Sequence, residues 1–485
     1  MKKLLDWGSL IADALSRGVK IRLLLNDFDP AAVPDLHASV WERVALLDYV
    51  LSENLPQALD GLEVMVAHPG GQSGAILRTV VWPSVRKLLN RTREEFIQTG
   101  RNLPPGYNKF QSGVPIWPPV RNFTQSLHQK FILADNQRAI LGGLDIDERR
   151  YDDPSHKRTG EETWHDVSVS LEGDAAYQLG GHFEEMWTLV KRFGHSYAQV
   201  YKAQDPRSVL NFVEPAGEAG PRRVAYGSTN LAPIVRTIGH PTRSFLSFGP
   251  AHFESSFEHA YLRQIDKARE MIYVETQFFR SKAIRNALLS ALGKNPVLQV
   301  IMLLPGAPDA VAYEGKRGGV HRYSEWLQMR SIDRLSRLFP DRFAAFALTS
   351  EVNRDEQSER DSLFGKSMVY IHSKLMIADD QVAIIGSANL NGRSMEWDIE
   401  AGILIDDQSF AKNLRKQLWH MHLGEEAVAM ANDDDYKSFL NSWKKLSLER
   451  AAQGVTAKGN GVVPYPMKRT KRFSKRHFFI PEQMV

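Results

Sequence analysis

Two stretches of the chain carry histidine, lysine and aspartate at one spacing: His128, Lys130 and Asp135 in the first, His372, Lys374 and Asp379 in the second. Those residue types suit attack on a phosphodiester. Its negative charge repels nucleophiles, so an enzyme working without a metal needs a nucleophile, cations for the phosphoryl oxygens and an acid for the leaving alkoxide. Two histidines and two lysines meeting at one phosphate supply all three, with one imidazole neutral to attack and the other protonated to donate. On a strand, residues two apart project from one face, so each His and Lys is expected to point the same way. Read alone, a His-x-Lys pair is an ordinary, partly exposed strand; its repetition at identical spacing is what favours chemistry. Neither a metal nor a cofactor is expected.

The neighbouring residues divide into supports and ligands. Asp135 and Asp379 lie five residues past their lysines in what reads as a turn between strands, so they are expected to be structural rather than acid–base groups. Asp145 stands where the second copy has Asn389. Asn389 and Ser387 could donate hydrogen bonds to phosphate, whereas Asp145 as a carboxylate cannot, which makes the halves chemically unequal. A catalytic histidine usually needs a carboxylate on its other nitrogen to fix tautomer and orientation. Asp166 in TWHDVSVSLEG and Glu400 in EWDIEAGILID occupy comparable places, each entering a strand after a glycine turn. A P-loop signature, a GxSxG elbow and an HExxH pair are all lacking. His420 and His422, two apart in a helical stretch, cannot share a helix face and so do not make a metal pair.

The elements that must position these groups form an internal repeat. HQKFILADNQRAILGGLDI from His128 and HSKLMIADDQVAIIGSANL from His372 share eight of nineteen positions without a gap. Each copy reads as strand, tight Asp-containing turn, strand and glycine turn. The second half opens with strand MIYVETQFF, helix AIRNALLSAL and strand VLQVIMLLP, the order of an α/β fold with a mixed or parallel sheet. The first half begins one element later, with an amphipathic helix ended by Gly18 and the strand VKIRLLLN. A counterpart of MIYVETQFF is therefore missing from it, which would leave an unpaired edge. The Pro-, Gly- and acid-rich EPAGEAGP (214–221) separates an N-terminal lobe, residues 1–213, from a C-terminal lobe, residues 222–430. A helix and a basic tail, residues 431–485, follow.

Composition bounds the partners. With 485 residues, 43% of them hydrophobic, sizeable cores are expected; with no cysteine, disulfides, thiolate nucleophiles and Cys-ligated metals are excluded. A net charge of +4 is small for this length and argues against nucleic acid as the main partner. No apolar run is long enough for a transmembrane helix. The two N-terminal lysines suggest a secretory leader, but Asp6 and Asp13 interrupt any apolar stretch. The chain thus reads as soluble, or peripheral at a membrane. In the tail, Lys468, Arg469, Lys471, Arg472, Lys475 and Arg476 interleave with Phe473, Phe478 and Phe479. This is either a solvated terminus or an attachment to an anionic surface.

At these residues the sequence resembles the phospholipase D superfamily, and more narrowly its phosphatidylcholine-type members. Besides both His-Lys-Asp motifs, the resemblance rests on GGLDIDERRYDDP after the first motif, YVETQFF, the glycine turn GSANLNGRSM and the closing helix LWHMHLG. It covers nearly the whole chain before the tail. It implies two similar α/β/α lobes with mixed sheets packed face to face about a pseudo-twofold axis, acting as a monomer on a phospholipid at a membrane surface. It also implies a two-step reaction in which His128 forms a phosphohistidine, His372 protonates the head-group alcohol, and Lys130, Lys374 and Asn389 bind phosphate. Water then gives phosphatidic acid, or another alcohol gives an exchanged lipid. The lipid-targeting modules of plant and animal members do not precede this region, which suggests a minimal enzyme of bacterial style. Alternatives are a cardiolipin synthase-like transferase, a nuclease of the same superfamily, or a binding protein without activity.

Overall fold

The structure, a computed structural model, describes all residues except 1–5, 56–60, 147–151, 218–231, 243, 356–359, 425–435 and 478–479. The start of the opening helix, residues 218–221 of the inter-repeat segment, residues 147–151 after the first motif, and Phe478 and Phe479 lie outside the described residues. The chain divides into two compact units, one of residues 1–127, 181–225 and 239–252, the other of residues 128–180, 226–238 and 253–485.

In the first unit Asp6 caps the helix Trp7–Ser16 by accepting the Ser9 amide at 2.7 Å, and Gly18 ends it at φ +80°, a left-handed residue that glycine adopts without strain. Strand β1 (Ile21–Asn26) follows and pairs in parallel with β2 (Leu62–Ala67). Between them the helix Pro34–Asn54 makes the long connection that parallel strands require. Trp41, Val44 and Leu51 of that helix bury against Leu62, Val64 and Val66.

The remaining strands are β3 (Phe131–Ala134), β4 (Arg138–Gly142), β5 (Trp164–His165), β6 (Ser168–Glu172), β7 (Ile234–His240), β8 (Ala251–Ser255), β9 (Met271–Glu275), β10 (Gln299–Leu303), β11 (Phe343–Asn353), β12 (Ser362–Leu363), β13 (Lys366–Ile371), β14 (Leu375–Ala378), β15 (Val382–Gly386), β16 (Glu400–Asp406) and β17 (Gly461–Pro464). The large sheet runs β12-β13-β11-β10-β9-β14-β15-β16-β7-β8, with β17 on β11 and β5 on β13, while β3-β4-β6 is a separate sheet. β10 is parallel to β9 and β11; β14, β15 and β16 run antiparallel to their neighbours, so the sheet is mixed, as the element order predicts. Ala139, Leu141, Val169 and Leu171 of β4 and β6 share one core with Ile385, Ala401 and Ile403 of β15 and β16, so the two repeats meet face to face in the second unit.

Both repeat hairpins turn alike: Asp135 and Asn136 have φ of 54° each, and Asp379 and Asp380 have 51° and 54°. Two successive left-handed residues make the turn that matches strand twist, and Asp and Asn tolerate it. The two aspartates nevertheless differ in work. Asp379 accepts the amides of Arg269, Glu270 and Met271 at 2.7, 2.9 and 2.8 Å, fixing the start of β9, whereas Asp135 is exposed. The first repeat's strands lie in two sheets, β1-β2 and β3-β4-β6, while in the second β9 bonds β10 on one edge and β14 on the other. Asp379→Ala is therefore expected to cost about 2–3 kcal/mol, and Asp135→Ala less than about 0.5, as read from urea midpoints.

The terminal segment is a packed element rather than a solvated tail. β17 pairs antiparallel with β11 from Phe346↔Pro464 to Thr349↔Gly461. In the helix Met467–Phe473, Arg469 donates to the Ser362 carbonyl at 2.6 Å and Lys471 pairs with Asp333 at 2.6 Å. The sequence reading missed this because its basic residues hide a short apolar strand, Val462 and Val463, that completes the core of the sheet.

Candidate active site

His372 to Lys374 form a break of three residues between β13 and β14, and His128 to Lys130 directly precede β3. The motifs thus enter the strands instead of lying on them, a correction to the strand reading. In the first repeat the amides of His128 and Gln129 both donate to the Ile399 carbonyl, at 2.9 and 3.0 Å. In the second, the amides of His372 and Ser373 both donate to the His165 carbonyl, at 2.8 and 3.1 Å. Each motif is therefore tied to the residue just before the other repeat's carboxylate.

The carboxylates continue that exchange. His128 Nδ1–H donates to Glu400 Oε1 at 2.9 Å, and His372 Nδ1–H donates to Asp166 Oδ2 at 2.7 Å. Every imidazole is held by the acid of the opposite repeat. With Nδ1 committed to a carboxylate, Nε2 is the nitrogen available for chemistry, and the acid stabilises the imidazolium when it forms. The two sites differ in access: the His128 side chain is 28% exposed and His372 is 3% exposed. The centroids of the Trp164 and Tyr370 rings lie 5.1 and 6.5 Å from that of the His372 ring.

The lysines repeat the symmetry and then break it. Lys130 Nζ donates to its own His128 carbonyl at 2.6 Å, and Lys374 Nζ donates to the His372 carbonyl. Asp145 lies 3.3 Å from Lys130 and partly neutralises it, while the residue at the same spacing in the second repeat is Asn389, uncharged and 3% exposed. Asn389 Oδ1 is buried without a partner. Ser387 departs from its expected role as a phosphate ligand. Its hydroxyl is fully buried, donates to Glu400 Oε2 and accepts the Ala401 amide at 3.1 Å, so it orients the acid behind His128.

Sequence reasoning gave no role to a third group of residues directly behind His372. Glu275, at the end of β9, is fully buried and receives His165 Nε2–H and His422 Nε2–H at 2.8 Å each. Burial pushes this carboxyl up, but the two imidazoles outweigh it and hold it well below the usual carboxylate range. His165, Glu275 and His422 are the group among the described residues whose ligand atoms, within 4.8 Å of one another, could hold a metal ion. The helical-spacing argument separated His420 from His422 correctly: His420 is exposed and His422 faces Glu275. The available signal was three polar residues inside otherwise apolar or aromatic stretches, TWHD, YVETQ and LWHMHL.

Residues 261–422 match the family described as "Cardiolipin synthase, PLD-like domain". Phospholipase D zeta 1 of Arabidopsis thaliana is 30% identical over 288 residues, covering 49% of this chain and 25% of that protein. Phospholipase D1 of Schizosaccharomyces pombe is 23% identical over 451 residues, covering 73% of this chain and 32% of that protein. The chain spans about a quarter of the plant relative and a third of the yeast one. Among solved structures, phosphatidylserine synthase of Haemophilus influenzae aligns over 93% of both chains with TM-score 0.44 and 12% identity.

Proposed function

Because this chain belongs to the phospholipase D superfamily, we propose that it cleaves the head-group phosphodiester of glycerophospholipids through a phosphohistidine. The observation that supports the reading is the crossed pairing of His128 with Glu400 and His372 with Asp166, each through Nδ1, which leaves both Nε2 atoms for the single site proposed. His128 Nε2, on the more open imidazole, attacks phosphorus. The bond to the head-group oxygen breaks as His372 Nε2–H protonates it. Lys130 and Lys374 balance the phosphoryl charge and Asn389 donates a hydrogen bond. Water then gives a proton to His372 and attacks phosphorus, which releases phosphatidic acid and frees His128. An alcohol in place of water yields an exchanged lipid.

The substrate is met at a membrane surface, and no described helix is long and apolar enough to cross one. Residues 1–213 and 222–430 act as the two repeat lobes, and since one chain carries both motifs a monomer suffices. A phosphatidyl transfer between two lipids is the second reading, favoured by the family matched at residues 261–422.

One assay distinguishes these. Purified protein is incubated with phosphatidylcholine or phosphatidylethanolamine vesicles and ethanol, with phosphatidylglycerol vesicles, and with DNA. Phosphatidic acid and phosphatidylethanol are the expected products. Cardiolipin formed from phosphatidylglycerol without hydrolysis supports the transferase instead, and cleavage confined to DNA overturns both lipid readings.

A further inference from the structure

Glu275 receives more donors than any role in strand β9 requires. Its Oε1 accepts Tyr273 Oη–H at 2.6 Å and His422 Nε2–H at 2.8 Å; its Oε2 accepts His165 Nε2–H at 2.8 Å and Ser373 Oγ–H at 2.6 Å. These donors come from β9, the helix Gln408–Leu423, β5 and the second motif itself. Ser373 sits between His372 and Lys374. His165 offers its carbonyl to the amides of His372 and Ser373 and directly precedes Asp166. One carboxylate therefore holds both the backbone that carries His372 and the residue beside the acid that orients it.

We propose that Glu275 is a positioning residue for His372, acting through Ser373 and His165 without a metal ion. This rests on the reading of His372 as the proton donor to the leaving group. Among the described residues the hub is built around the second motif, and the first motif has Gln129 in the place of Ser373. It serves the more buried imidazole, where a misplaced ring cannot be corrected by solvent.

The charges in the hub are consistent with a proton-held carboxylate. Burial pushes the His165 imidazole down, but Glu275, its hydrogen bond, Asp166 and Asp152 outweigh this and raise it. Burial lowers His422, and Glu275 only partly offsets that while His165 and His156 repel its charge. Each of these two imidazoles offers Glu275 an Nε2–H, and together they hold the carboxyl well below the usual carboxylate range. Both oxygens then carry two protons each from donors. A zinc ion at about 2.0–2.1 Å from the ligand atoms would instead need both Nε2 protons removed. Around His372 itself stand Asp166, Lys374, Tyr370 and Trp164.

The test uses the full chain with Glu275→Gln and Ser373→Ala. An amide in place of the carboxylate must turn an NH2 group against two donors, so Asp166 loses its fixed position and the His372 imidazolium loses support. For Glu275→Gln the expected result is a kcat about 100-fold lower with KM changed less than about threefold. The alkaline limb of the kcat–pH profile moves to lower pH. Ser373→Ala, which removes a single donor, moves both in the same direction by a smaller factor and covers the case in which Glu275→Gln does not fold. The His372 titration, followed by NMR of 15N-histidine without substrate, moves down in both variants. That shift seen in a protein that hydrolyses no phospholipid would overturn the activity and leave the positioning role standing. Folded variants with an unmoved titration and wild-type kcat overturn the proposal. So does stoichiometric zinc binding to the wild type that chelation reverses together with activity.

Discussion

His128→Ala is expected to fold normally and to lose turnover by on the order of 10⁴-fold or more, the scale on which removal of a covalent nucleophile is felt. His128 is not a core residue: its side chain is 28% exposed, and its backbone amide bond to Ile399 survives truncation. Circular dichroism and the urea midpoint should therefore stay close to wild type. The complementary variant is His372→Ala. With an ordinary lipid it should be as inactive, because the alkoxide has no proton source. With a good leaving group such as p-nitrophenol the first step needs no acid, yet the second still lacks a base for water. Phosphoenzyme should then accumulate, and mass spectrometry of peptides should place it on His128. Phosphate on His372 in the reverse experiment would exchange the two roles, and near-normal turnover of either variant would sink the single shared site.

The second large effect follows from the exchanged acids. Glu400→Gln is expected to impair His128, and Asp166→Asn to impair His372, although each acid lies in the other histidine's repeat. An amide in either place favours the wrong tautomer, and losses on the order of 10³–10⁴-fold in kcat are expected. A leaving group that needs no proton discriminates between them. Formation of the phosphoenzyme from a p-nitrophenyl ester should be largely restored in Asp166→Asn, because His372 is dispensable for that step. In Glu400→Gln it should remain slow, because the attacking nitrogen is still misoriented. If the ester instead rescued Glu400→Gln and not Asp166→Asn, the attacking and donating histidines would be interchanged. Ser387→Ala, which removes the hydroxyl donor to Glu400 Oε2, should reproduce the Glu400 phenotype in weaker form, on the order of tenfold.

Much of the local structure was legible in the sequence. The β–α–β order gave the mixed sheet, Gly18 the end of the opening helix, and the aspartate of each motif a tight turn between strands, whose left-handed residues the structure then showed. These features depend on residues within a few positions of one another, so periodicity and turn preference suffice. Ser387 was misjudged because its spacing after the second motif says nothing about whether its hydroxyl faces a ligand or a buried acid. The terminal segment was misjudged for a related reason. Its charge was visible along the chain, whereas the partner of β17, over a hundred residues away in β11, was not.

By itself the sequence determined the chemistry available: two imidazoles, two ammonium groups and two candidate acids, set in repeated and unequal frames. Local spacing fixes those because strand and turn geometry act over a few bonds. Only the tertiary structure decided the pairing. His128 meets Glu400 across 272 residues of chain and His372 meets Asp166 across 206, while Glu275 gathers His165 from 110 residues away and His422 from 147. Such contacts arise when the β3-β4-β6 sheet packs on β15 and β16 and β5 joins the edge of β13. Burial then requires each polar group to find a partner, wherever along the chain that partner lies.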